Sequence, residues 1–144
     1  IKASPEKGTN SFSPQANASN SYIYIRSKEK TPITSGRRYV VRPIVEIADS
    51  SRNGKFIPFI DWFDKDGVFI SRSDATTFTL QEYITGANVA WADRLTKLIP
   101  IVTPSLLAPV GAALAQHGVN CTNLDVGMSD YYLHSVILYD SLEN

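Results

Sequence analysis

Phe56-Ile57-Pro58-Phe59-Ile60-Asp61-Trp62-Phe63, followed by Asp64-Lys65-Asp66-Gly67 and then Val68-Phe69-Ile70-Ser71-Arg72, is the stretch on which the fold turns. The first eight residues are apolar on both faces of an extended chain, the pattern of a strand covered on both sides or lining a groove on one. Asp64 to Gly67 supplies a tight turn, with Gly67 available for positive φ, and Val68 to Arg72 then runs back along the first strand. This is a β-hairpin.

Upstream of the hairpin, Tyr22-Ile23-Tyr24-Ile25-Arg26 is β-branched or aromatic almost throughout and reads as a strand. Thr31 to Gly36 is turn chemistry. Beyond it Tyr39, Val41, Val45 and Ile47 share one face, and Arg42, Ile44 and Glu46 the other, with Pro43 marking an edge or a bulge. Thr76 to Leu80 is a further β-rich run. Arg94 to Val102 sets Leu95, Lys97, Ile99 and Ile101 against Thr96, Leu98 and Val102. The segment from Pro104 reads as a short helical turn and then a strand from Gly111 to His117. Tyr131 to Tyr139 is a closing strand ending at Asp140. About eight short strands separated by turn signals predict an all-β, two-sheet antiparallel jelly-roll β-sandwich.

Residues 1–20 are rich in Ser, Asn, Pro and Lys and predict an extended arm or linker, leaving 21–144 as the sandwich domain. Because the chain opens on Ile1 and shows no signal-peptide core, it reads as a piece of a longer polypeptide. The 144 residues suit one domain, and 14 Lys+Arg balance 14 Asp+Glu, so no net field draws the chain to nucleic acid or to an anionic membrane. The longest apolar run, Leu98 to Leu114, is broken by Pro100, Pro104 and Pro109, so no membrane insertion is expected. One cysteine, Cys121, excludes an intramolecular disulfide framework and reads as a small core residue.

The order of these pieces resembles the jelly-roll carbohydrate-binding modules of the family 4/9 type and their relatives in bacteriophage tail fibres and tail spikes. The matching residues are Ile33-Thr34-Ser35-Gly36-Arg37-Arg38-Tyr39-Val40-Val41, the hairpin Phe63 to Ile70, Trp91, the Arg94 to Ile101 strand, Ala112-Ala113-Leu114 and Val136-Ile137-Leu138-Tyr139-Asp140. The opening strand that often helps such modules hold a structural calcium is not recognisable in residues 1–20. The resemblance implies a virion or extracellular setting, a host surface polysaccharide as partner, and assembly as a homo-oligomer.

Catalytic chemistry finds little in the residues. Glycan hydrolysis asks for two carboxylates at a set separation, whereas Asp61, Asp64 and Asp66 gather at a turn and read as turn formers in a solvated loop. Cys121, His117 and His134 form no nucleophile motif, and no Gly-rich phosphate loop, HExxH or CxxC occurs. The chain is therefore expected not to be an enzyme. No cofactor is expected either; a structural calcium is the one candidate kept open, because Asp64-Lys65-Asp66-Gly67 resembles the start of a calcium loop, and the missing closing Glu of an EF-hand counts against it. The triplets at Asn17 and Asn120 fit a glycosylation acceptor and are given no functional weight.

Aromatic residues with a polar handle offer more, because a sugar ring has an apolar C–H face and a hydroxyl rim. Tyr22, Tyr24, Trp62, Tyr83 and Tyr132 are the candidate ligand-binding residues. Tyr22 and Tyr24 share a face by alternation, and Trp62 joins them outside if Ile57, Phe59 and Phe63 form the core set. Trp91 reads as a core or interface residue. The functional expectation is a carbohydrate-binding or receptor-recognition module. Its rivals are a structural oligomerisation or decoration domain of a virion protein, for which the same aromatics would serve subunit contacts, and a binding domain cut from a secreted glycoside hydrolase.

Overall fold

The structure, a computed structural model, describes residues 2–3, 10–11, 23–47, 54–79, 98–124 and 131–142, and among them there are strands and no helix. In chain order the strands are β1 (Lys2–Ala3), β2 (Asn10–Ser11), β3 (Ile23–Arg26), β4 (Thr31–Pro32), β5 (Arg38–Ile47), β6 (Lys55–Phe63), β7 (Phe69–Asp74), β8 (Phe78–Thr79), β9 (Ile99–Pro100), β10 (Leu106–Leu107), β11 (Leu114–Thr122) and β12 (Tyr131–Asp140). All pairings are antiparallel. One sheet has β5 at its centre, with β12 on one side and β9 and β10 on the other. A larger sheet runs β3-β11-β6-β7, with β4 also on β11 and β8 also on β6. After β4 the chain passes to the first sheet for β5, back for β6 to β8, across for β9 and β10, back for β11 and across again for β12.

Residues from both sheets meet in two buried clusters. Val45, Ile99, Tyr131 and Leu133 of the β5 sheet pack with Phe56, Val119 and Cys121 of the larger one. Tyr39 and Val41 pack with Ile60, Trp62 and Ala115. The two sheets therefore lie face to face around a shared apolar layer, as period-two alternation allows. The alternation read from sequence holds in several strands: Tyr39, Val41 and Val45 are buried, as are Ile99 and Ile101, while Leu98 and Val102 are exposed. The Gly67 turn also forms. Gly67 has φ 81°, and the Asp64 carboxylate accepts the amides of Asp66 and Val68 at 2.9 Å each.

Four local expectations change. Pro43 sits in the central strand rather than at an edge; the bulge is in its partner β12, where His134 is the extra residue between Leu133 and Ser135. No helical turn follows Pro104. Instead β10 and a tight turn at Gly111, φ 87°, lead into β11, which starts at Leu114 and continues to Thr122. Residues 2–3 and 10–11, within the expected arm, form an antiparallel pair, and β2 lies against β12. The fourth change is the most consequential. The core-facing residues of β6 are Phe56, Ile60 and Trp62, so the phase of the strand is opposite to the one that would place Trp62 outside. Alternation fixes a period, and in a strand apolar on both faces it does not fix which set is inward. Asp61 decides it. A carboxylate cannot face the apolar layer without a charged partner, and its partners lie on the outer side.

Candidate ligand-binding face

The outer face of the larger sheet is assembled from alternate residues of four neighbouring strands. The registers align Tyr24, Asn120 and Ile57 in one row, Arg26, Gly118, Phe59 and Asp74 in the next, and Gln116, Asp61 and Arg72 in a third. Gly118 makes the middle row close. A Cβ there would stand 2.1 Å from the Ile25 carbonyl oxygen and 2.8 Å from the Phe59 ring, so only a glycine lets that ring lie against the sheet.

Asp61 is 2% exposed and anchors the face. Its Oδ1 accepts the Arg72 Nε–H at 2.6 Å, its Oδ2 accepts Arg72 Nη2 at 3.0 Å, and Arg26 Nη1 approaches Oδ2 at 3.4 Å. This two-bond fork fixes the plane of the Arg72 guanidinium. The group lies 4.0 Å from the Phe59 ring centre and 5.0 Å from that of Tyr24. Tyr24 meets Phe59 edge-on, with centroids 5.8 Å apart and planes at 72°. The hydrogen bond to Asp61 raises the pKa of Arg72, against a smaller opposing push from burial. At the far end of the face Lys30 Nζ stands 4.4 Å over the Phe63 ring, which packs edge-on against Phe69.

Chemically this is an aromatic ring 46% exposed beside a fixed guanidinium, with a second, half-exposed guanidinium from Arg26 one row away. It can stack on an apolar ring face and donate several N–H groups to hydroxyl or carboxylate oxygens.

The five residues expected to bind ligand are not brought together. Tyr24 lies on this face. Trp62 is fully buried between the sheets, donates its Nε1–H to Ser73 Oγ at 2.9 Å and packs against Tyr39, so it offers no surface to a ligand. Tyr132 is half-buried on the other sheet, paired in register with Glu46, and faces away from the core formed by its neighbours Tyr131 and Leu133. It is on the opposite side of the sandwich from Tyr24. Tyr22 and Tyr83 lie outside the described residues, as does Trp91. Asp61, read from sequence as part of a solvated turn, is instead a buried strand residue in an ion pair.

The missed contributors are Phe59, Asp61, Arg72 and Arg26. Once the turn at Asp64 to Gly67 is granted, the hairpin register sets Asp61 opposite Arg72, a signal present in the sequence. For calcium, the Asp64 Oδ1 is engaged by the turn, and no group of three or more His, Cys, Asp or Glu able to hold a metal occurs among the described residues. Cys121 is buried in the core, and burial pushes its thiol up to about 12.

No protein-family model matches the sequence. No curated protein matches it either. Among solved structures, the chain is similar to the enzymatically active domain of tailspike protein 4 of bacteriophage CBA120, with a TM-score of 0.48 and 13% identity, over 96% of this chain and 16% of that one. The chain thus spans about a sixth of that structure's length. That domain is described as enzymatically active, contrary to the expectation of a non-enzyme here, and that expectation is withdrawn. No helix among the described residues is long and apolar enough to cross a membrane.

Proposed function

We propose that the chain is a jelly-roll module of a phage tail spike or tail fibre that holds a host surface polysaccharide on the outer face of its larger sheet. The observation that carries the reading is the Tyr24–Arg72–Asp61 arrangement: an exposed ring beside a guanidinium already held in place by a buried carboxylate. Pre-ordering matters because a weak, solvent-facing sugar contact gains little if long side chains must first be immobilised. The passage of the chain between two packed sheets supports the jelly-roll part. The tail setting comes from the sequence resemblance.

The test is calorimetric titration of the protein with capsular and O-antigen polysaccharides of candidate hosts, alongside Tyr24→Ala and Arg72→Ala. Binding that Tyr24→Ala weakens about tenfold or more, on an intact fold, supports the reading. Equal binding by Tyr24→Ala, or none by the wild type across the panel, overturns it.

A second reading has its own observation. Val68, Phe69 and Ile70 at the start of edge strand β7 are exposed, and so is Leu107 of the neighbouring β10. Clustered apolar exposure of this kind suits a subunit contact in a homo-oligomer. Sedimentation of the wild type and of Phe69→Ser would register it as concentration-dependent association lost in the variant.

A further inference from the structure

At the rim of the sandwich, away from the Tyr24 face, a cleft of about 400 Å³ opens between the 31–34 segment and the end of β12. That volume is within the range of small-molecule sites. Thr31, Pro32 and Thr34 form its exposed mouth, Ile33 and Leu138 its half-buried walls, and Tyr39 and Asp140 its buried depth. Tyr39 and Asp140 are directly opposite each other in the β5–β12 ladder, so their side chains leave the sheet on the same face.

The hydrogen-bonding state of these two residues is complementary. The Tyr39 oxygen accepts the Thr34 amide at 2.7 Å, which leaves its own proton to donate, and no acceptor for that proton occurs among the described residues. Buried tyrosine hydroxyls usually find one. Asp140 gives Oδ2 to Arg37 at 2.9 Å and Oδ1 to the Leu142 amide at 2.9 Å, and each oxygen keeps a lone pair. A spare donor and spare acceptors therefore line the same cleft, on paired residues of one ladder, among walls of mixed polar and apolar character.

We propose that this cleft is a second ligand site, taking a neutral, hydroxyl-bearing ring of hexose size whose neighbouring hydroxyls pair with the Tyr39 O–H and the Asp140 carboxylate. The ring's C–H face would rest on Pro32, Ile33 and Leu138, with the Thr31 and Thr34 hydroxyls at the mouth. Charge selects against the alternatives. No lysine or arginine among the described residues lines the cleft, and its one charged lining group, the Asp140 carboxylate, is already paired with Arg37, so an anionic sugar would find no unpaired cation there and a cation would have to displace Arg37.

The experiment is an amide-resolved NMR titration with the methyl glycosides of glucose, galactose, mannose and N-acetylglucosamine, and with glucuronate. At least one neutral glycoside should give saturable shifts at the amides of Thr31, Ile33, Thr34 and residues 138–140, and glucuronate none. Tyr39→Phe should weaken that binding about tenfold, and Thr34→Trp, which fills the mouth from an exposed position, should abolish it. Tyr24→Ala should leave it unchanged, so the fate of this site is read separately from that of the sheet face. Absence of saturable shifts at these amides with all four glycosides, equal shifts with glucuronate, or wild-type binding by Thr34→Trp would overturn the proposal.

Discussion

Arg72 reaches across the β6–β7 hairpin to grip Asp61 with two hydrogen bonds, Nε to Oδ1 at 2.6 Å and Nη2 to Oδ2 at 3.0 Å. The carboxylate is buried and the guanidinium is partly exposed. Removing the guanidinium is therefore the more damaging change. Arg72→Ala should destabilise the fold by about 3 kcal/mol, the size expected when a buried charge loses its main partner. Arg26, at 3.4 Å, compensates only in part. Arg72→Lys should recover less than half of the loss, because an ammonium cannot reproduce the planar fork. Urea unfolding of the three proteins measures this.

Tyr24 and Trp62 should separate binding from folding. Tyr24 is on the surface, and Tyr24→Ala should cost only about 1 kcal/mol of stability, the worth of its ring contacts with Phe59 and Arg72. Trp62 is enclosed, and Trp62→Ala should cost about 3–5 kcal/mol. Loss of ligand binding in Trp62→Ala would thus report a damaged core. Thermal melts of both variants, taken beside binding assays, distinguish the two effects.

Much of the sandwich was legible in the sequence, because hydrophobic alternation, turn chemistry and strand length are local signals. Tyr39, Val41 and Val45 point inward as their spacing requires, and the Asp64 to Gly67 turn closes as its residues dictate. The sheet face was less legible. Phe56 to Phe63 is apolar in both phases, so alternation alone left the side of Trp62 undetermined, and the deciding residue was the one charge in the run, Asp61. Its partner Arg26 arrives through β3 and β11, a non-local pairing that no short-range pattern encodes. Tyr24 and Tyr132 look alike in sequence, yet sheet membership sets them on opposite sides of the molecule.

Gly118 should tolerate no side chain. In Gly118→Ala the new methyl would collide with the Ile25 carbonyl, a backbone atom that moves only if β3 shifts from β11. A loss of about 1–3 kcal/mol is expected, in the range of overpacking in a well-filled site. The displaced Phe59 ring should also disturb Tyr24. Chemical denaturation gives the first quantity, and the Tyr24 ring resonances give the second.

His117 predicts a specific pH dependence. Its Nε2 lies 3.0 Å from the Val136 carbonyl oxygen, and burial lowers its pKa below the ordinary 6.5, the hydrogen bond opposing only in part. Between the lowered folded value and the unfolded value near 6.5 the unfolded chain binds the extra proton. Stability therefore rises with pH across that window and falls as pH drops through it. The wild type should lose more melting temperature between pH 7.5 and pH 5 than His117→Leu does, whatever the absolute stability of the variant. Parallel melts in matched buffers test the slope.

The claim that the Tyr24–Arg72–Asp61 face receives the ligand is tested most directly by following the Arg72 Nε–H resonance while host polysaccharide fragments are added to the labelled protein. That proton sits in the fork to Asp61 and beside the exposed ring, so ligand stacked on Tyr24 should shift it saturably, together with the Tyr24 ring signals. Tight binding that leaves the Arg72 Nε–H and the Tyr24 ring unmoved, with all shifts confined to other parts of the sandwich, would contradict the account.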